Sequence, residues 1–157
     1  MILDLDGYFV NHHFHIREIG WCDIQGQPSS YHFTPALDYS QLDWKDRKTV
    51  NYVYHPIHGL RFNANPSEQA LPDSLAMVML QTLYRSLCTS TQYVVAYKGG
   101  SVEQTLLDKL NIPHVNLELF GCPKVDVLIE QGFDPGCSCG HHQKVTPHCP
   151  RQETFLF

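Results

Sequence analysis

The stretch "ILDLDGYF", residues 2–9, alternates apolar residues with acids and then with Gly7 and Tyr8. Alternation with a period of two is the mark of a β-strand, and it sends Asp4 and Asp6 out of the same face. Two adjacent carboxylates on a strand beside a core are unfavourable unless a cation lies between them, and a hard divalent cation such as Mg²⁺ prefers carboxylate oxygens. An edge strand with both acids in solvent satisfies the spacing equally well. The rest of the chain has to decide between these readings.

The next segments extend the strand pattern. "FHIREIGWCDI" is rich in β-formers, and "SYHFTPA" follows a turn signal at Gly26 to Pro28, so three neighbouring antiparallel strands are expected. His12, His13 and His15 in "NHHFH" fit a polar hairpin turn. Residues 38–72 read as a long polar, aromatic excursion with one short helix. In it Tyr52, Tyr54, His55 and Phe62 could stack on bases, or form a satellite core.

Beyond the excursion the period changes. "DSLAMVMLQTLYRSLC" places Leu75, Val78, Met79, Leu83 and Leu87 along a helical stripe behind an Asp73/Ser74 cap. "QYVVAY" reads as a strand buried on both faces. "KGGSVEQTLLDKLNI" starts a helix at Ser101, with Gln104 as a capping-box partner. "HVNLEL" reads as a strand, "PKVDVLIEQG" as a helix between Pro123 and Gly132, and "PRQETFLF" as a final helix. This order gives an α/β fold with a mixed five-stranded sheet flanked by helices. At 157 residues, one domain spanning 1–157 is the expectation.

Near the end, "CSCGHHQKVTPHC" (residues 137–149) gathers three cysteines and three histidines. Cys139, His142 and Cys149 suit one tetrahedral ion, with His141, His148 and Cys137 as nearby candidates for the fourth ligand. Thiols and metal are expected rather than disulfides for the six cysteines. The amino terminus lacks the basic and apolar segments of a signal peptide, and no apolar run is long enough to span a bilayer, so an intracellular protein (nuclear or cytoplasmic) with no membrane partner is expected. A formal charge of -5 excludes broad electrostatic attraction to nucleic acid and requires any such contact to be local or assisted by cations. Lys98 reads as an exposed lysine that could also meet a phosphate.

Taken in order, "LDLDG", "REIGW", "VVAYKGGSVEQTLL", "VNLELFGCPK" and "HCPRQE" resemble the DEDDh 3′-to-5′ exonucleases of the ribonuclease H-like fold, across essentially the whole chain. The resemblance implies that Asp4, Asp6, Glu103 and Glu153 hold two Mg²⁺ or Mn²⁺ ions, with Asp4, Asp6 and Glu153 binding them directly, and that His148 is the general base. Asp6 stands where the family has Glu, and Glu103 and Glu153 where it has Asp. The resemblance is strongest to a zinc-containing branch that includes the Maelstrom domain, the exonuclease domain of arenavirus nucleoproteins and the exonuclease-like domain of the promyelocytic leukaemia protein. That branch implies one structural Zn²⁺ on Glu18, Cys139, His142 and Cys149. The expected substrates are 3′ ends of single-stranded or double-stranded DNA or RNA. The alternative is a catalytically impaired domain that binds nucleic acid or protein.

Overall fold

The computed structural model describes residues 1–88, 93–143 and 148–157. The alternating segment forms β1 (Ile2–Val10), which turns through Asn11 and His12, both at positive φ, into β2 (His13–Cys22). Two consecutive residues with φ above zero match the right-handed twist of a tight hairpin, and Asn is well suited to the first of them. Next come β3 (Pro28–Thr34), α1 (Trp44–Val53), β4 (Leu71–Pro72) and α2 (Ala76–Leu87). The chain then runs through β5 (Val95–Tyr97), α3 (Ser101–Lys109), β6 (His114–Asn116), α4 (Val125–Glu130) and α5 (Pro150–Leu156).

The sheet order is β4-β3-β2-β1-β5-β6, with β1, β2 and β3 antiparallel and β5 and β6 parallel to β1. The expected five strands are therefore six. The extra one is the two-residue β4, which pairs parallel with β3 through Phe33 and Thr34. Its "LP" is too short to show any period, so pairing with β3 alone makes it a strand.

Alternation along β1 separates two environments. Leu3 and Leu5 pair with Trp21 and Ile19 of β2, and all four pack with Leu80 and Leu83 of α2 and Leu107 of α3 in the main core. The opposite face carries Asp4, Asp6, Tyr8 and Val10, the last two packing with Leu42, Val50 and Phe62. A bulge breaks the β1–β2 ladder: Asp6 pairs with Glu18 but Gly7 pairs with Ile16, so Arg17 is an extra residue. A bulge re-aims side chains locally, and here it lets Arg17 bury its guanidinium against the Arg61 carbonyl and the Glu68 carboxylate.

Several local expectations are corrected. The buried stripe of α2 is Ala76, Leu80 and Leu83, whereas Leu75 and Val78 are exposed. Asp73 does not cap that helix; its carboxylate binds His15 Nδ1 at 2.7 Å. Gln104 forms no capping box, because the N-cap of α3 is Gly100, which has no side chain to join one. "HVNLEL" is a strand only to Asn116, whose side chain accepts from the Glu118 N–H and starts a 3-10 turn over Leu117–Phe120. The expected start of the β5 segment at Gln92 lies outside the described residues. No helix among the described residues is long and apolar enough to cross a membrane.

Helix α5 lies over β1 and β2 on the acidic face, and Gly20 permits it. A Cβ at Gly20 would stand 2.3 Å from the Pro150 carbonyl carbon and 2.6 Å from the Arg151 nitrogen. Those are backbone atoms of the docked helix and cannot swing aside. Gly20→Ala should cost about 1–3 kcal/mol of stability, read as a lower midpoint in chemical denaturation; an unchanged midpoint would show that α5 does not need this approach.

Candidate metal centre and acidic cluster

Glu18 sits at the middle of β2, fully buried, next to the bulge. A buried carboxylate needs partners, and the loop before α5 provides them. His142 Nε2 is 2.8 Å from Glu18 Oε2, the Cys139 thiol 3.4 Å from the same oxygen, and the Cys149 sulfur 3.9 Å from Oε1. The Cys139 N–H also donates to the Cys149 sulfur at 3.4 Å. One ligand atom from each of these four residues lies within 4.8 Å of the other three, so they could hold one metal ion.

The ionisation of the group follows from this crowding. Burial acts to raise the Glu18 carboxyl, but the hydrogen bond and charge of His142 hold it below its ordinary range. Burial likewise opposes charge on His142, yet its bonds to Cys149 and Glu18 lift the imidazole to about 11. The hydrogen bond from Cys139 pulls the Cys149 thiol down to about 5, while the same contact and burial push Cys139 up. These shifts favour negative charge on Glu18 and Cys149 and positive charge on His142, so the group attracts a cation. Two sulfurs, one nitrogen and one oxygen are the donors Zn²⁺ favours. His142 Nδ1 is hydrogen-bonded to the His58 carbonyl, which leaves Nε2 as the ligating nitrogen. Among the alternatives for the fourth position, Cys137 is exposed, His141 stacks edge-on against His32, and His148 turns to Glu153.

A second group lies one ladder step away. Asp4 pairs with Gly20 and Asp6 with Glu18, so β1 runs its acids past the metal cluster and under α5. Burial pushes the Asp4 carboxyl well up, and the charges of Glu153, Asp6 and Glu103 push it further. Asp6 is raised by burial, then by Glu18, with His142 opposing and Glu153 adding. Its Oδ2 is buried without a partner. Glu103, buried in the first turn of α3, is lifted to about 7, chiefly by burial. His148, half-exposed, holds Nδ1 3.2 Å from Glu153 Oε1, and that bond raises it. All five residues named from the sequence therefore meet in one region. Among the described residues, however, only the Glu18 group brings three or more ligand atoms within that short mutual distance.

Comparison with family models, curated proteins and solved structures finds no match to this chain. The site rests on its own geometry.

Two contributors carry no motif signal in the sequence: the His58 carbonyl acts through its backbone and Arg17 through a bulge. Gly20, by contrast, stands inside "REIGW", where a glycine amid strand formers marks a close backbone approach.

The purified protein should carry ~1 zinc per chain by elemental analysis, and Cys149→Ser should lose it; a folded Cys149→Ser that keeps full zinc would remove the assignment. The acidic group can be tested without activity. Because the Asp4, Asp6 and Glu103 carboxyls are held above their ordinary range, they keep protons in mild acid and surrender them as pH rises, through about 7 for Glu103. Mg²⁺ or Mn²⁺ should therefore raise the thermal midpoint more at about pH 8 than at about pH 5. Equal shifts at both values would contradict cation binding by these acids.

Proposed function

We propose that this chain is a metal-dependent 3′-to-5′ exonuclease of the DEDDh type, on a ribonuclease H-like fold, hydrolysing DNA or RNA, with one structural Zn²⁺. The observation that carries this reading is the mutual charge of Asp4, Asp6, Glu103 and Glu153, which arrive from β1, α3 and α5 and press on one another beside His148. When ionised, such a set is unfavourable unless cations neutralise it. All its donors but one are oxygens, which fits Mg²⁺ or Mn²⁺, and the orphaned Asp6 Oδ2 is a ready donor.

In this reading Asp4, Asp6 and Glu153 bind the two ions and Glu103 completes the acidic shell. When bound, such an ion pair supplies charge neutralisation for an in-line phosphodiester displacement. His148 has Nδ1 committed to Glu153, so Nε2 is the nitrogen that takes a proton from the attacking water. Zn²⁺ on Glu18, Cys139, His142 and Cys149 is structural, because four protein ligands close the shell. It fixes the start of α5, and with it His148 and Glu153. The three parallel-paired strands and the antiparallel hairpins beside them support the fold reading, as does the position of the acids on the first strand.

A specific observation favours the alternative of a binding module. Glu103, longer than the Asp of the family, has its charge favoured by the backbone N–H groups of Leu5 and of its own residue, so its carboxylate is drawn partly toward the backbone. One assay separates the two. With Mg²⁺ or Mn²⁺, the exonuclease shortens a 5′-labelled oligonucleotide stepwise from the 3′ end, and Asp4→Ala lowers the rate by at least ~10²-fold. Binding without shortening leaves only the module; internal fragments that survive Asp4→Ala would point to an endonuclease using other residues.

A further inference from the structure

Beside the acidic group a cavity of about 310 Å³ opens to solvent, lined by Lys98, Lys124, Asp126, His148, Glu153 and Phe157. Lys98 is not the exposed lysine its sequence position suggests: its side chain is only 8% accessible. It follows Tyr97, which pairs with Leu3 and is buried in the main core, so alternation turns Lys98 to the other face, the one carrying Asp4. There its ammonium lies 5.4 Å over the Phe157 ring and 3.7 Å from Glu118 Oε1. The Phe157 contact supports the lysine stem as well as the charge. The Glu118 side chain is half exposed, so this ion pair is weak and easily exchanged for another anion.

A phosphodiester approaching four carboxylates on a chain of net charge -5 is repelled at every step. Two lysines from different elements line the cavity and lessen this repulsion, Lys98 after β5 and Lys124 before α4. Asp126 and Glu153 also line the cavity and Glu118 faces Lys98, so the lysines offset neighbouring acids that would otherwise repel a phosphate. The volume is at the low end of the ~300–1,000 Å³ range of small-ligand sites. A volume of this order suits a single nucleotide-sized group.

We propose that Lys98, with Lys124, binds the phosphate of an unpaired 3′-terminal nucleotide, exchanging Glu118 for that phosphate while the Phe157 ring holds the lysine in place. The inference rests on the nuclease reading and adds to it a substrate class, single-stranded or frayed 3′ ends. Lys98 binds rather than reacts, so its loss acts on affinity and KM and leaves kcat nearly unchanged.

The test measures fluorescence anisotropy of 5′-labelled single-stranded DNA and RNA decamers and a blunt duplex, with Ca²⁺ present, alongside hydrolysis in Mn²⁺. Lys98→Met keeps the packing stem and removes the charge, and Lys98→Arg keeps the charge. Lys98→Met should weaken single-strand binding roughly tenfold, and the slope of log affinity against log salt should fall by ~0.7. Lys98→Arg should retain most of the binding, and the duplex should bind more weakly than either single strand. Should Lys98→Met fail to fold, Lys124→Met gives the same reading at the second lysine. Unchanged affinity and salt slope in the charge-removing variant, or preference for the duplex, overturns the inference even if the wild type degrades 3′ ends. Lys98-dependent binding with no hydrolysis by wild type supports the inference and removes the nuclease reading instead. Absence of any binding overturns the inference.

Discussion

The structure depends on how one carboxylate, Glu18, is accommodated at the centre of the sheet. It lies in the middle of β2 with no access to solvent, where an unpartnered charge would be heavily penalised. Its partners come from more than 120 positions later: His142 and Cys139 at hydrogen-bonding range and Cys149 just beyond. Breaking a buried pair by deleting one member typically costs about 3–5 kcal/mol. The loop containing residues 139–143 is therefore tied to the sheet by polar contacts to Glu18. Because Cys149 is the residue before α5, the same interaction sets where that helix begins, and Gly20 sets how closely it can lie.

Two centres of different chemical character result, one step apart on the β1–β2 ladder. The Glu18 group mixes sulfur, nitrogen and one oxygen, while the Asp4 group is almost wholly oxygen. Ligand softness would sort ions between them without any gate, thiolates selecting zinc and carboxylates selecting harder cations. They are also coupled. Asp6 feels Glu18 and Glu153 as repulsive and His142 as attractive, so the charge state of either centre alters the other. The Arg17 bulge belongs to the same arrangement, since it shifts the ladder register between Asp6 and Gly7, directly after the Asp6–Glu18 pair.

Most of the architecture was legible where a period ran long enough. The alternation of "ILDLDGYF" gave β1 and its acidic face, and β2, β3, the crossover helices and α5 fell where their patterns placed them. The failures are physical in kind. α2 rotated its stripe from Leu75 and Val78 to Ala76 and Leu80 because apolar residues cover more than one face of that segment. "HVNLEL" stopped early because Asn116 used its side chain to start a turn, a local choice that hydrophobic pattern does not register. Of the site, Cys139, His142 and Cys149 stood out by composition, but Glu18 came only through resemblance, since nothing in "REIGW" shows that its acid points inward. The burial of Lys98 was illegible for the same reason; it depends on Phe157 folding back from the far end of the chain.

That long reach has a consequence for how the protein comes into being. A ribosome releases β1 and β2 first, with Asp4, Asp6 and Glu18 all wanting partners, while Cys149 and Glu153 are still untranslated. Contacts spanning 121 to 131 positions are costly to close, since the chain must sacrifice much freedom before they form. The acids of β1 and β2 thus gain their partners only once those later residues are made, and the same contacts complete the Glu18 group and place the start of α5.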